Sequence, residues 1–204
     1  MGKLELNKKQ KKNALYNTAF ELFTTKGLAK TTISDIVERA GVAKGTFYLY
    51  FKDKYDIRNK LVSRKAGELF SQAHEALLAA DVTDFKEQIH FIADNILDAL
   101  EQNHSLLIFL SKNLSWGVFK EAAGESMAED GHYFYQSYQS LLSHSGVSYE
   151  DPELMLFTIV ELVSSTSYSC ILHSQPAPMA EYRPYLHKTI DCILEAFSQG
   201  AKTP

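Results

Sequence analysis

Apolar residues recur along this chain at helical spacing. Ala14, Leu15, Thr18, Ala19, Leu22 and Phe23 predict a first helix from about Lys9, closed by Lys26-Gly27, a cation and a glycine stop. Ile33, Ile36, Val37 and Ala40 predict a short second helix. Thr32 is its cap, Asp35 can return the contact as a capping-box residue does, and Gly41 supplies a left-handed turn. Phe47-Tyr48-Leu49-Tyr50-Phe51 then breaks the pattern. Propensity alone makes this run a strand, but a short apolar run cannot be assigned by periodicity. Its neighbours decide. After two helices and a glycine turn, a two-turn helix from about Lys44 puts Phe47 and Phe51 on one face, toward Val37, Ala40 and Val42. Lys44, Gly45 and Tyr48 then take another face. This is the spacing of a helix-turn-helix, whose second helix offers its N-terminal residues to the major groove.

The remaining pattern is also helical. A long helix is predicted from Lys54 through Ile57, Leu61, Ala66 and Leu69 to Leu78, broken by Asp81 to Asp84. Phe85, Ile89, Ile92, Ile96 and Leu100 mark the next, and Gln102-Asn103-His104 ends it. Leu106 to Leu110 is apolar all round and so should be buried. Asn113 to Gly117 interrupts; Phe134, Tyr138, Leu141 and Leu142 mark a helix before the Ser145-Gly146 turn. Ser148, Asp151 and Pro152 open a helix through Leu154, Phe157, Leu162 and Ile171. A last helix, from about Met179, carries Tyr182, Leu186, Ile190, Ile193 and Phe197. Strand signals, internal repeats and low-complexity linkers are absent. The expected fold is all-α, with a three-helix module over residues 1–60 and a larger helical domain over 61–204.

Charge gives the two parts different partners. The net charge of −4 hides an asymmetry: residues 1–65 hold 15 Lys/Arg and 6 Asp/Glu, or +9, and residues 66–204 hold 6 and 19, or −13. A basic third on an acidic remainder implies that only the first part meets a polyanion. At 204 residues and 45% apolar composition the chain can bury one good core, or a small module joined to a larger one. The apolar runs Leu106–Leu110 and Leu154–Val163 fall short of the roughly 18 residues of a membrane span, so no membrane partner is expected. Lysine-rich Met1 to Lys12 lacks the apolar region of a secretory signal, so a cytoplasmic location is expected. Cys170 and Cys192 sit in no metal or redox spacing and are expected to be buried as small hydrophobes. The seven histidines have no metal-ligand spacing, and there is no phosphate loop or nucleophile elbow. Catalysis, a metal and a cofactor are therefore not expected.

Each position of the basic module suits a duplex. Lys44 offers a point charge to a phosphate or a guanine edge, Gly45 lets the backbone come close, and Thr46 has a hydroxyl and a methyl for base edges. Tyr48 and Tyr50 can send hydroxyls to phosphates, although Tyr50 lies nearer the inward face. Thr32, at a helix N-terminus, can direct backbone N–H groups at another phosphate. Lys54 is placed to clamp the far side.

"TTISDIVERAGVAKGTFYLYFKDKYDI", residues 31 to 57, resembles the N-terminal DNA-binding segment of TetR/AcrR-type transcriptional regulators. Phe20-Glu21-Leu22-Phe23 and Lys26-Gly27 match as well. The resemblance covers about the first 60 residues. Ala43 departs from it, since many members have Ser or Thr there as a cap; the loss costs about 1 kcal/mol or one phosphate contact. The resemblance implies a two-fold dimer joined through a four-helix contact, and the last two long helices are apolar enough to form it. Two modules on a two-fold scaffold would read two half-sites of a double-stranded operator. The resemblance also implies a small-molecule effector pocket in the C-terminal part.

In that part the candidate ligand residues are Phe109, Trp116, Tyr138, Glu161 and Tyr168, with Phe119 and His173 near them in the pattern. Glu161 lies within the apolar run Leu154–Val163, where a buried carboxylate needs a partner, either an internal Arg or Tyr or a ligand. The expected ligand is a largely apolar molecule held by aromatics, with Glu161 favouring a cationic or hydrogen-bond-donating group. The reading is a homodimeric repressor that binds a near-palindromic operator and is released by ligand. The alternative is an architectural or partner-responsive DNA-binding protein without an effector. An apolar cavity with convergent polar groups favours the first; a filled core with an exposed apolar patch favours the second.

Overall fold

The structure is a computed structural model that describes residues 2–114, 116–117 and 134–201. The described residues form α1 (Lys3–Thr25), α2 (Ile33–Arg39), α3 (Lys44–Tyr48), α4 (Lys54–Ala79), α5 (Phe85–Gln102), α6 (His104–Asn113), α7 (Phe134–His144), α8 (Pro152–His173) and α9 (Met179–Phe197). The all-α expectation holds with one correction. Val147–Tyr149 and Ser198–Ala201 pair as antiparallel strands β1 and β2. A three-residue strand beside Gly146 and a four-residue strand reading Ser-Gln-Gly-Ala carry too little alternation to be read from pattern. Their pairing is tertiary, tying the chain before α8 to the chain after α9. Ser148 therefore sits in β1, and Asp151 alone caps α8, accepting from the Leu154 N–H at 3.0 Å.

The helix boundaries follow local chemistry. The α1 helix begins at Lys3, earlier than apolar periodicity reaches, because its first turns are a solvated lysine-rich extension with no buried face to mark them. Asp53 caps α4, accepting from Tyr55 N–H at 2.7 Å and Asp56 N–H at 2.9 Å. Asp84 and Asn103 cap α5 and α6 in the same way.

Two apolar clusters organise the molecule. The first joins Leu15, Ala19, Ile36, Phe47 and Phe51 of the N-terminal helices to Ile57, Leu61 and Ala66 of α4 and to Leu106–Leu110 of α6. The second joins α5 to α7, α8 and α9 through residues such as Leu97, Tyr138, Met155, Leu186 and Ile190. The α4 helix runs unbroken past residue 60 and contributes buried side chains on both sides of it. Across α5 and α9 a polar seam lies outside the second cluster. Lys86 pairs with Glu195 at 2.8 Å, His187 with Asp94 at 2.9 Å, and Arg183 reaches Asp94, Asp98 and Glu101 at 2.7–3.2 Å. His90 and His187 stack with centroids 4.3 Å apart, and His90 Nε2 lies 3.1 Å from Asp191 without hydrogen-bond alignment.

The α8 helix extends well beyond the apolar run Leu154–Val163. It is long and apolar enough, by length and composition alone, to cross a bilayer. The run Leu154–Val163 was too short because the helix continues through the weakly polar Ser164–Cys170. One side of α8 packs on α9 and α6. Leu154 remains 48% exposed, as Tyr185 of α9 does at 64%. The cysteines divide: Cys170 is buried and Cys192 exposed, because Cys192 faces outward on α9.

Candidate nucleic-acid interface and ligand cavity

The helix-turn-helix is built as its sequence pattern requires. Thr32 Oγ1 accepts from the Asp35 N–H at 3.1 Å, and the Asp35 carboxylate accepts from the Thr32 N–H at 2.8 Å. Lys26 adds an ion pair to that carboxylate at 2.7 Å. The Lys26 ammonium first, then the Thr32 amide and hydroxyl, hold Asp35 down from 3.8 to about 2. The Arg39–Glu21 ion pair ties α2 to α1. Gly41 turns the chain at φ 66°, in the left-handed region that favours glycine. Ala43 precedes α3 without a side-chain cap, the loss its identity implies.

The aromatic run is thereby sorted. Phe47 and Phe51 are buried and their rings lie 5.4 Å apart, with Tyr16 of α1 edge-on to Phe51 at 5.1 Å. Lys44, Gly45 and Tyr48 are exposed, and Thr46 is half-buried. The α3 helix has five residues and gives way to a turn at Leu49-Tyr50, so the predicted second helical turn is not completed. Phe51 still reaches the core because its N–H donates to the Phe47 carbonyl at 3.0 Å.

Three expected contact residues are already engaged within the chain. Tyr50 is half-buried, and its hydroxyl donates to the Lys8 carbonyl at 3.4 Å. The Thr32 N–H is consumed by Asp35, which leaves the amides of Ile33 and Ser34 in that first turn. Lys54 donates to the carbonyls of Leu28, Ala29 and Thr31 at 3.0, 3.2 and 3.1 Å. Its three donors hold the loop between α1 and α2, so anything it gives a phosphate is charge at a distance. Exposed Lys30 and Lys52 flank the same side and were passed over because they lie in loops, outside any helical pattern.

The larger domain contains an apolar cavity of about 120 Å³. Its wall is formed by Ala66, Leu69, Phe70 and His74 of α4, by Ile89, Ala93 and Ile96 of α5, by Leu107 and Leu110 of α6, and by parts of α7, α8 and α9. Of the five expected ligand residues, Tyr138 lines it, with its hydroxyl donated to the Pro152 carbonyl at 2.8 Å. Phe109 points the other way and packs edge-on against Phe20 of α1 at 5.4 Å. Trp116 stands on Phe157 at 5.1 Å, and Tyr168 packs beside the first cluster with its ring 6.0 Å from that of His173. Glu161 is exposed, which corrects the expectation of a buried carboxylate. An apolar run four or more residues long must present some positions to the side of the helix that this chain leaves open, and Glu161 is one of them. Phe119 lies outside the described residues. His74 was passed over as one histidine among seven. Its signal was its place four residues after Phe70 and eight after Ala66, on the same stripe of α4.

Residues 15–61 match the model of the bacterial regulatory proteins of the tetR family. Over that segment this chain is similar to the TetR family. An uncharacterized HTH-type transcriptional regulator, YvdT of Bacillus subtilis (strain 168), is 33% identical over 130 residues, 63% of this chain and 61% of that protein. The HTH-type transcriptional repressor BepR of Brucella suis biovar 1 (strain 1330) is 31% identical over 90 residues, 44% of this chain and 41% of its own. The chain thus spans less than two thirds of either relative. Among solved structures, the transcriptional regulator FadR from Bacillus subtilis in complex with stearoyl-CoA superposes with a TM-score of 0.64 at 20% identity, covering 87% of this chain and 96% of that one. At that identity the likeness is one of fold.

Proposed function

We propose that this chain is a cytoplasmic DNA-binding regulator of the TetR family without catalytic activity, a homodimeric repressor that reads a near-palindromic operator and is released by a small apolar effector. Residues 1–60 serve as the DNA-binding part and residues 61–204 as the effector-binding and dimerisation part. The observation that carries the DNA reading is Gly45. Glycine in a helical turn loses more backbone entropy than alanine would, and a Cβ built there meets nothing within 4 Å. The chain's own packing gives no reason for a glycine on this exposed face beside Lys44 and Tyr48. Close approach of a duplex gives one.

The dimer follows from α8 and α9, whose outward sides leave Leu154 and Tyr185 exposed. The cavity favours effector control over the partner-responsive alternative, because its wall touches both apolar clusters. The coupling runs through α6, which offers Leu107 and Leu110 to the cavity and Phe109 to Phe20 of α1. An effector shifts the position of the recognition helices only by binding one arrangement of these helices better than the other.

The test is fluorescence anisotropy on duplexes recovered by genomic pull-down with the full chain. Gly45→Ala is expected to leave the fold intact and weaken DNA binding. Lys44→Ala is expected to weaken it and to lower the salt slope by about 1. A single half-site is expected to bind far more weakly than the palindrome. Salt-indifferent binding, or equal binding of half-site and palindrome, would refute the reading.

A further inference from the structure

Among the described residues, the cavity wall holds one fully buried side-chain nitrogen with no hydrogen-bond partner. Of the four serines in its wall, Ser111 donates to the Ile108 carbonyl, Ser164 to Glu161 and Ser167 to Ser164, each within its own helix, and Ser137 of α7 is half-buried. Tyr138 is satisfied by Pro152. His74 is half-buried, and its Nδ1 is buried and has no hydrogen-bond partner among the described residues. An unpaired buried nitrogen costs stability unless something supplies a partner, and its side chain stands in a wall that is mostly hydrocarbon.

Size and polarity narrow what that partner is. A cavity of about 150 Å³ accommodates benzene, so this one, at about 120 Å³, takes a molecule of roughly six carbons at most. A charged group would have no counter-ion among the wall residues and would lose its hydration on entry. A neutral hydroxyl or carbonyl exchanges water for the imidazole nitrogen, which donates or accepts according to its tautomer.

Position gives the contact a consequence. His74 is on α4, the helix that continues from the DNA-binding part, and the cavity lies between the two apolar clusters. Ala66, Leu69 and Leu110 on its wall belong to the first cluster, and Ala93, Met155 and Ile159 to the second. A molecule bound to His74 therefore bridges α4 to α5 and α8.

We propose that this cavity binds a small neutral molecule, mostly hydrocarbon, with a single hydrogen-bonding group held by the imidazole of His74. The proposal rests on the effector reading above and names the chemical class of that effector and its polar anchor.

Phenol and benzene are matched probes, since they differ by one hydroxyl, and each is titrated into the full chain by calorimetry and by NMR. Without a partner in the cavity the hydroxyl is a penalty. The unaltered protein is expected to bind phenol at least as tightly as benzene. In His74→Leu, phenol is expected to weaken at least tenfold relative to benzene while benzene binding persists, which also reports that the cavity is still formed. His74→Gln, which keeps a hydrogen-bonding group, is expected to restore part of the preference for phenol. If phenol binds more weakly than benzene in the unaltered protein, if His74→Leu leaves the ratio unchanged, or if neither probe binds the folded chain, the proposal is overturned. DNA affinity measured in the same titrations separates the two readings. Phenol held through His74 with no change in DNA binding upholds the site and refutes release by ligand. DNA binding that responds to phenol equally in His74→Leu refutes the anchor and leaves release standing.

Discussion

The DNA-binding part and the larger domain pack their apolar side chains for opposite purposes. In the first cluster Leu15, Ala19, Ile36, Phe47 and Phe51 are buried and none of them lines the cavity, and the exposed Lys44, Gly45 and Tyr48 lie outside it on α3. Between α4, α5 and α8 the apolar wall surrounds a cavity of about 120 Å³. On the proposed reading, one part works at its surface and needs its interior only to be rigid. The other works from its interior and is left incomplete there. The same substitution should therefore have opposite consequences in the two parts.

Ala19 and Ala93 make the sharpest test of this difference. Both are buried, Ala19 in the first cluster and Ala93 in the cavity wall. Ala19→Leu forces three extra carbons into filled space and is expected to cost about 1–3 kcal/mol. Ala93→Leu extends into the void and is expected to stabilise by about 0.5–2 kcal/mol while weakening the binding of benzene and phenol. Urea denaturation of both variants measures the signs. Equal destabilisation would mean that the cavity wall is as tightly packed as the module and would remove the contrast.

Lys54 and Lys44 divide the lysines of the module in the same manner, one acting inward and one outward. Lys54→Met leaves the carbonyls of Leu28, Ala29 and Thr31 without their shared donor and is expected to cost about 1–2 kcal/mol. Lys44 is exposed, and its loss should change stability by no more than about 0.5 kcal/mol. In DNA binding the order reverses, and Lys44→Ala gives the larger drop in salt slope. A Lys54→Met variant as stable as the parent, with a salt slope lowered as far as that of Lys44→Ala, would return Lys54 to the interface.

The same division explains what could be read from the chain in advance. In the module residue type and spacing place most side chains, with Leu49 exposed, Tyr50 half-buried and Lys54 turned inward as the exceptions. Spacing alone put Phe47 and Phe51 inside and Lys44 outside, and the Thr32–Asp35 cap is local enough to be a sequence pattern. In the larger domain apolar type does not distinguish a core position from a cavity wall or an uncovered helix face. Phe109 was expected at a ligand and instead packs on Phe20, a contact 89 positions away in sequence that no local pattern encodes. Glu161 was expected inside because its neighbours are apolar, yet that side of α8 is open. His74 was hidden for the converse reason: its meaning depends on the absence of a partner, which only the assembled walls reveal. The β1–β2 pairing likewise depends on two chain segments meeting, and neither segment carries the alternation of a strand by itself.

Asp35 supplies the smallest expected effect and the one most specific to the module. Its carboxylate is held at about 2 in the folded chain by Lys26 and by the amide and hydroxyl of Thr32, against an ordinary value of 3.8. Lowering the folded value means that the ionised form is favoured by folding. The contribution is fully present above the unfolded value and is lost as pH falls through about 4 toward 2. Asp35→Asn removes the charge at every pH, so its urea midpoint should lie below that of the parent at pH 5 and approach it by pH 2. Both Lys26 and Asp35 are partly exposed to solvent, so raising the salt concentration at pH 5 should narrow the same gap by screening. A gap that stays constant from pH 5 to pH 2 would assign the effect to the lost shape of the carboxylate in the cap instead of its charge. Ala93→Leu in the larger domain supplies the control, since its difference from the parent should not move between those two pH values. If it closes in parallel with that of Asp35→Asn, the acid loss belongs to the whole chain, and the two parts do not titrate separately.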